Sequence, residues 1–518
     1  MMINSPFERR VDPTPDVFAD QVNNIGLKWS RVTIDQMEWD PVEATGTYSK
    51  QNIDPSWQQA ITGLANRGIK MIYSLAFWDE QIQSQECYHR FKQEEEIQRY
   101  LDYVKFIVQN FKDRIQYYEM INEPRFSECA PFNQQNIEPA DYIELVRRTV
   151  EVIRQESPEA KIVVGATVLF YERYYLFEIL ESDIMPLVDG VSWHPMFGTS
   201  PEHQSEYYYN YSSIVQEIKD MAVTHDFEGE FIAEELSWGA PGYSDTAAAK
   251  YFARGIMMHL GMDVFAGMNL NEGDDLKIPR MKAIRNLSTI MAGAEPVSLP
   301  VEIQSEATKM RSYSFSLSNG DNLIALWTDG VAVDEDPGVK ANLTFQGFTA
   351  QDVTGFDVLV GFQQPIIASN ENGNLVISNL LVRDYPLILR LSPVAKPAVF
   401  TDLTVSPTEA QLGQPVEISV KVTNVGGMES SYTVILTING IVEDSETITL
   451  VGGESTTVTF KPVKEDAGMY DIDVSGLKGA FSVKEIPPPP PPTEPFPMWI
   501  VGIAIAAIGI ALAALLVV

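Results

Sequence analysis

Short apolar runs alternate with longer stretches of helical period over the first 293 residues. The runs at 29–32, 71–77, 115–121, 161–166, 190–193, 231–235 and 264–268 predict strands, and a short one at 2–4 makes eight. Between them, 15–25, 94–110, 142–154 and 246–260 repeat apolar residues at helical spacing. Strands that alternate with helices imply parallel βαβ units, and eight units over roughly 250–300 residues fit a closed (β/α)8 TIM barrel. An open doubly wound sheet would call for a glycine-rich phosphate loop after an early strand. The chain contains neither GxGxxG nor GxxxxGK[ST].

Past residue 293 the helical period vanishes. Runs at 312–317, 322–327, 375–377 and 387–391, separated by turns such as Ser318-Asn319-Gly320 and Glu371-Asn372-Gly373, predict a β-sandwich over 294–396. Runs at 416–422, 432–438, 447–450, 456–460 and 469–474 predict a second, immunoglobulin-like sandwich over 397–486, with Asn439-Gly440 as a hairpin turn. Six prolines from Pro487 to Pro492 open a stiff spacer over 487–497. Residues 498–518 are 21 positions without a charge. As a helix they would span roughly 30 Å, which predicts a C-terminal transmembrane helix. No Lys or Arg follows to orient it. Met1-Met2-Ile3-Asn4 resembles the tail of a strand rather than a signal peptide, so the true start is expected upstream.

Composition narrows the classes of function. The 518 residues carry 37 basic and 71 acidic side chains, a formal charge of −34, which argues against nucleic acid as the main partner. Two cysteines build neither a disulfide scaffold nor a four-thiolate metal site, and the five histidines form no HExxH pair. Cys87 and Cys129 follow neighbouring strands, where either a disulfide or two independent thiols would fit.

Two acidic sites stand at predicted strand ends. Tyr117-Tyr118-Glu119-Met120-Ile121-Asn122-Glu123-Pro124 runs from an apolar strand into Asn-Glu-Pro, so Glu123 is expected at the barrel rim with Asn122 beside it. Phe231-Ile232-Ala233-Glu234-Glu235-Leu236-Ser237-Trp238 ends the seventh strand. Side chains alternate along a strand, so only one of Glu234 and Glu235 is expected to face the mouth, and periodicity does not choose between them. Two carboxyls on different strands at one barrel face suit glycoside hydrolysis, in which one protonates the leaving oxygen and the other attacks the anomeric carbon. Trp78 and Trp238 each follow a strand directly and are candidate platforms for a sugar face.

On these residues, 3–395 resemble clan A glycoside hydrolases, the retaining (β/α)8 enzymes that include cellulases, mannanases and β-xylosidases. Gly26-Leu27-Lys28-Trp29-Ser30-Arg31 is similar to their second strand, Tyr118 to Pro124 to their W-E-x-x-N-E-P stretch, Ser192-Trp193-His194-Pro195 to their sixth strand, and Ile232 to Trp238 to their T-E-x-G-W stretch. The resemblance implies Glu123 as acid/base and Glu235 as nucleophile, with Glu234 in the threonine position. It further implies that Arg31 supports the nucleophile, that Asn122 contacts a sugar hydroxyl, that His194 lines the site, and that no metal or cofactor is needed. Residues 401–483 resemble adhesion-type, CARDB-like modules, through Val420-Lys421-Val422-Thr423-Asn424-Val425-Gly426 and Gly452-Gly453-Glu454-Ser455-Thr456. Together these imply a glycosidase acting on a poly- or oligosaccharide at the cell surface, held to the membrane by the C-terminal helix. Two departures leave a second expectation open, an inactive carbohydrate-binding or adhesion protein. Met196 stands where the family has tyrosine, and 265–269 contains no tryptophan.

Overall fold

The computed structural model describes residues 1–4, 15–33, 53, 55–77, 89–125, 136–195, 200–202, 210–237, 243–269, 278–307, 309–393, 398–424, 429–451 and 453–485. Eight strands close into a barrel in chain order. They are β1 (Met2–Asn4), β2 (Trp29–Val32), β3 (Lys70–Ser74), β4 (Tyr117–Glu119), β5 (Lys161–Val168), β6 (Gly190–His194), β7 (Glu230–Leu236) and β8 (Phe265–Asn269). Every neighbouring pair is parallel, and β8 returns to β1 with Met268 opposite Ile3. The helices are α1 (Pro15–Ile25), α2 (Pro55–Asn66), α3 (Glu94–Phe111), α4 (Pro139–Glu156), α5 (Leu169–Leu180), α6 (Tyr211–Thr224), α7 (Asp245–Gly261) and α8 (Pro279–Ile290).

Local sequence explains these elements. In α3, Tyr100, Leu101, Val104, Ile107, Val108 and Phe111 fall on one buried stripe, and Glu94, Glu95 and Glu96 place negative charge at the positive end of the helix dipole. Ser244 caps α7 by accepting the Ala247 N–H at 3.0 Å.

Inside the barrel the side chains are layered by the two-residue period of the strands. Ile72, Val163 and Ile232 pack with Trp29, Tyr117 and Phe265 as an apolar floor, with the Trp29 ring edge-on to Tyr117 and Phe265. Gly190 leaves room for it, since a Cβ there would stand 3.0 Å from Val163 Cγ2. Two residues further along, the same strands present Arg31, Ser74, Glu119, Ser192 and Glu234, all buried. An apolar floor thus lies beneath a charged layer.

Two irregularities shape the upper rim. The β5–β6 register shifts between Val164 and Thr167, where Gly165 and Ala166 both have positive φ. A Cβ on Gly165 would fall 2.1 Å from the Ser192 carbonyl oxygen, so glycine is required there. The β7–β8 register shifts between Ala233 and Leu236, with Glu235 at φ 56. β4 itself is shorter than the predicted 115–121. It stops at Glu119, because the chain then turns to β5, with Met120 N–H on Val163 O and Glu123 N–H on Ala166 O.

The described chain divides into two units, Met1–Val394 and Ala395–Val518. Beyond the barrel, the first unit contains β9 (Glu295–Val297), β10 (Val301–Ser305), β11 (Met310–Ser316), β12 (Asn322–Thr328), β13 (Val339–Phe345), β14 (Ala350–Asp357), β15 (Phe362–Pro365), β16 (Ser369–Glu371), β17 (Asn374–Val382) and β18 (Leu387–Pro393). They form a sheet of four, β10-β13-β17-β16, and one of six, β15-β14-β18-β12-β11-β9. This sandwich is joined to α7 by buried polar contacts. Glu202 receives Arg254 Nε at 2.8 Å and Trp327 Nε1 at 2.7 Å, and Arg254 Nη1 reaches Gly330 O at 2.7 Å. Lys250 meets Asp384 at 2.7 Å, and Gly261 lies so close to Tyr313 that a Cβ would come within 2.1 Å of its ring.

The second unit has its own core around Val416, Val420, Val434, Leu436, Phe460, Val474 and Phe481. Its strands are β19 (Val399–Ser406), β20 (Glu409–Gln411), β21 (Glu417–Thr423), β22 (Ser430–Ile438), β23 (Ile441–Leu450), β24 (Ser455–Phe460), β25 (Gly468–Val474) and β26 (Leu477–Lys484). They form sheets β19-β21-β24 and β20-β26-β25-β22-β23. Among the described residues no helix is long and apolar enough to cross a membrane. The predicted proline spacer and membrane helix lie outside those residues.

Candidate active site

At the C-terminal end of the barrel the charged layer is organised around Arg31 on β2. Its Nε donates to Glu119 Oε2 at 2.6 Å and its Nη1 to Glu235 Oε1 at 3.0 Å. Its Nη2 donates to Asn122 Oδ1 at 2.6 Å and lies 3.4 Å from Ser74 Oγ. Glu234 Oε2 stands 3.3 Å from Arg31 Nε. Burial by itself would weaken the guanidinium charge, but Glu119, Glu234 and Glu235 together hold it firmly protonated.

His194 at the end of β6 is wholly buried and links the remaining acids. Its Nδ1 lies 3.1 Å from Glu123 Oε1 and 3.6 Å from Glu235 Oε2, and its Nε2 lies 3.6 Å from Glu234 Oε2. Desolvation pulls the imidazolium down, yet the Glu235 charge, the bond to Glu123 and the nearby Glu234 carboxyl outweigh it and raise its pKa to about 10. Ser192, one layer below, receives the Ala166 N–H at 3.0 Å and donates to Glu119 Oε1 at 2.8 Å.

The structure therefore brings Arg31, Asn122, Glu123, His194 and Glu235 together. Trp78 and Trp238, and also Cys87, Cys129 and Met196, lie outside the described residues. One expectation is overturned: both adjacent glutamates of β7 face the mouth. Glu234 points inward with the parity of Ile232, and the bulge turns Glu235 back through a left-handed backbone so that it too reaches Arg31. Glu123 is likewise left-handed, at φ 45, a conformation that costs about 1–3 kcal/mol in a non-glycine residue and gathers at functional sites. Sequence reasoning missed Glu119, Ser74 and Ser192 as members of the site. The available signal was parity: each lies two positions from an inward-facing floor residue, and Glu119 is the one charge in an otherwise apolar stretch.

A carboxylate oxygen of Glu123, one of Glu235 and a ring nitrogen of His194 lie within 4.8 Å of one another, close enough to touch one cation. Two carboxyls flanking one small space beside a fixed positive charge suit proton transfer and attack at a single acetal carbon.

The sequence profile of glycosyl hydrolase family 1 matches residues 20–160, which include Arg31, Asn122 and Glu123 and stop short of Glu235. The CARDB profile matches residues 399–476. No curated protein matches the chain. Among solved structures, a family 39 glycoside hydrolase from the gut symbiont Bacteroides cellulosilyticus is similar at TM-score 0.57 and 15% identity, over 76% of this chain and 80% of that one. A bacterial orthologue of human α-L-iduronidase is similar at TM-score 0.50 and 13% identity, over 92% of this chain and 96% of that one. A family 5 glycoside hydrolase from Bacteroides vulgatus is similar at TM-score 0.50 and 10% identity, over 76% and 89%. The class so defined is a glycosidase of the (β/α)8 type, hydrolysing O-glycosyl bonds. In this chain the barrel is followed by a CARDB domain.

Proposed function

We propose that the chain is a retaining glycoside hydrolase working by double displacement on a poly- or oligosaccharide, tethered at the cell surface. Glu235 attacks the anomeric carbon and forms a glycosyl ester as the C1–O bond breaks. Glu123 gives its proton to the departing oxygen, then takes one from the water that cleaves the ester. Arg31 holds Glu235 by its 3.0 Å bond and turns the Asn122 amide by its 2.6 Å bond, so that the Asn122 NH2 group is directed to a sugar hydroxyl. The observation that carries this reading is the approach of the Glu123 and Glu235 oxygens to within 4.8 Å, in keeping with the retaining separation of about 5–5.5 Å rather than the wider inverting gap.

The surface location rests on sequence, namely the CARDB-type module, the proline run and the uncharged residues 498–518. Fractionation of cells expressing the chain, with and without 498–518, tests it. The full chain should sediment with membranes and lose its barrel to external protease.

The enzymatic test is hydrolysis of aryl β-glycosides by wild type, Glu123→Ala and Glu235→Ala, with the anomeric form of the first product read by NMR. Both variants should lose at least about 100-fold in kcat/KM, and the first product should keep the substrate's configuration. Undiminished turnover in both variants would reject the assignment. Glycan binding without turnover would favour the carbohydrate-binding alternative.

A further inference from the structure

The charged layer contains more acid than this mechanism uses. Glu119 and Glu234 are both wholly buried, and neither is placed to reach a sugar ring. Both face the same nitrogen: Arg31 Nε lies 2.6 Å from Glu119 Oε2 and 3.3 Å from Glu234 Oε2. That nitrogen carries one hydrogen, and it is directed to Glu119. Among the described residues neither Glu234 oxygen accepts a hydrogen bond; His194 Nε2 stands 3.6 Å from Glu234 Oε2, and Glu234 shares Arg31 Nε with Glu119. Two ionised carboxylates so placed, in a layer without solvent, repel strongly and leave acceptors unsatisfied.

We propose that Glu119 and Glu234 share a single proton beneath Glu235, and that this proton keeps Arg31 engaged with Glu235. The proposal deepens the glycosidase reading and rests on it for the role of Glu235.

Charge balance supports it. The groups facing the pair are Arg31 from β2, Ser74 from β3, Tyr142 from α4, Ser192 and His194 from β6, and Glu235 from β7, with Glu123 beyond His194. Two cations, Arg31 and His194, thus meet four carboxyls. One proton on the pair reduces that excess of buried negative charge by one. Burial first, and then the Glu234 charge, push the Glu119 carboxyl up to about 8 against the pull of Arg31. Burial would raise Glu234 as well, but the charge of Arg31, with His194 and the Glu119 carboxyl close by, holds it below its usual range. The proton lies between the two carboxyls and supplies the hydrogen bond that Glu234 lacks. When it is lost, two carboxylates compete for Arg31 and draw it from Glu235. Both residues are positioning residues: they act through Arg31.

The test uses the full chain and two readouts. The first is infrared titration of the protonated-carboxyl C=O stretch from pH 5 to 10 in wild type, Glu234→Gln and Glu119→Gln. Wild type should lose one such band with a midpoint near pH 8, and neither variant should show it. The second is the rate of covalent trapping by a panel of 2,4-dinitrophenyl 2-deoxy-2-fluoro-β-glycosides. Their leaving group departs as the phenolate, so the protonation of Glu123 does not enter, and the pH dependence reports on Glu235. The wild-type rate should fall through the same midpoint, and in Glu234→Gln the fall should move by more than about one pH unit. A wild-type band that does not titrate, or trapping profiles that superimpose, would overturn the proposal. Absence of trapping with every glycoside, together with a titrating wild-type band, would sink the glycosidase reading and leave the shared proton standing. If one Gln variant fails to fold, the other and the wild-type titration still decide.

Discussion

Arg31 and Arg254 are both buried arginines facing glutamates, and they differ in how completely those glutamates are satisfied. At the seam with the first sandwich, Glu202 accepts from Arg254 and Trp327 through one oxygen and from Ser200 and Arg254 through the other. Burial would raise its carboxyl, but Arg254 and these bonds hold it below its usual range. At the mouth, Arg31 is divided among Glu119, Glu234, Glu235 and Asn122, and Glu234 goes without a donor. A saturated network fixes one arrangement. An under-satisfied one stores proton-transfer capacity at the expense of stability. Structural and chemical uses of the same ion pair are separated by counting donors.

The largest effect expected from breaking this comparison is at Arg31. Arg31→Leu leaves Glu119 and Glu234 buried without their common cation and frees Glu235. Urea unfolding should show a loss of about 3–5 kcal/mol. Activity per folded molecule should fall by at least about 100-fold as well. Arg254→Leu should cost a similar 3–5 kcal/mol, roughly, by stranding Glu202, with little change in kcat/KM of the folded fraction. Equal losses of activity in the two variants would dissolve the distinction between mouth and seam.

The next effect is conformational. Gly165→Ala forces a methyl against the Ser192 carbonyl at a φ of 114, and the bulge it disturbs holds the Glu123 N–H on Ala166 O. It should destabilise the barrel by at least about 1–3 kcal/mol and lower kcat more than it raises KM, because the acid/base is displaced. Steady-state kinetics beside thermal unfolding separates the two.

Much of this architecture is legible in the sequence, and the limits have physical causes. β2 and α1 match the expected bounds because their ends coincide with the ends of apolar pattern. β13 is legible too, with Ala341, Leu343 and Phe345 alternating inward between the outward Lys340, Asn342 and Thr344. β15 and β16 are exposed throughout, so no hydrophobic period marks them. At the site, the residue types are readable and their directions are not. A bulge is a single-residue event with no compositional trace at Glu235, and alternation therefore gives the wrong count of inward acids on β7.

A smaller effect sharpens the comparison through pH. Groups whose folded pKa is raised contribute stability that is present below their unfolded value and lost as pH rises through the folded value. Glu119, raised to about 8, and His194, raised to about 10, therefore withdraw stability on the alkaline side, and both belong to the mouth. His259 on α7 runs the other way. Burial lowers it to about 4 against the bond to Gly255 O, so its contribution is present at neutral pH and lost as pH falls from about 6.5 toward 4. Glu202, held low at the seam, adds to that acid loss. Thermal unfolding against pH should give a dome whose alkaline limb flattens in Glu234→Gln, while the acid limb loses only the share that Glu234, itself held low, contributes. An alkaline limb that stays unchanged in Glu234→Gln would show that the mouth is not an independent titrating unit.

The smallest expected effect concerns the CARDB-type unit. Among the described residues the last buried apolar side chain of the first unit is Leu391, and the core of the second is built from residues between Ala398 and Val483. Every partner described above for the charged layer lies within Met1–Val394, the part of the chain that a truncation at 394 keeps. A chain ending at residue 394 should hydrolyse a small aryl glycoside with kcat/KM within about twofold of the full chain, since the acids, Arg31 and His194 keep every partner described above. On an insoluble polysaccharide the same truncation should lower turnover if the second unit keeps the barrel at its substrate. The ratio of the two rates is the measurement. A parallel fall on both substrates would mean that the second unit supports the barrel itself, and the division of the chain into a chemical part and an attaching part would have to be redrawn.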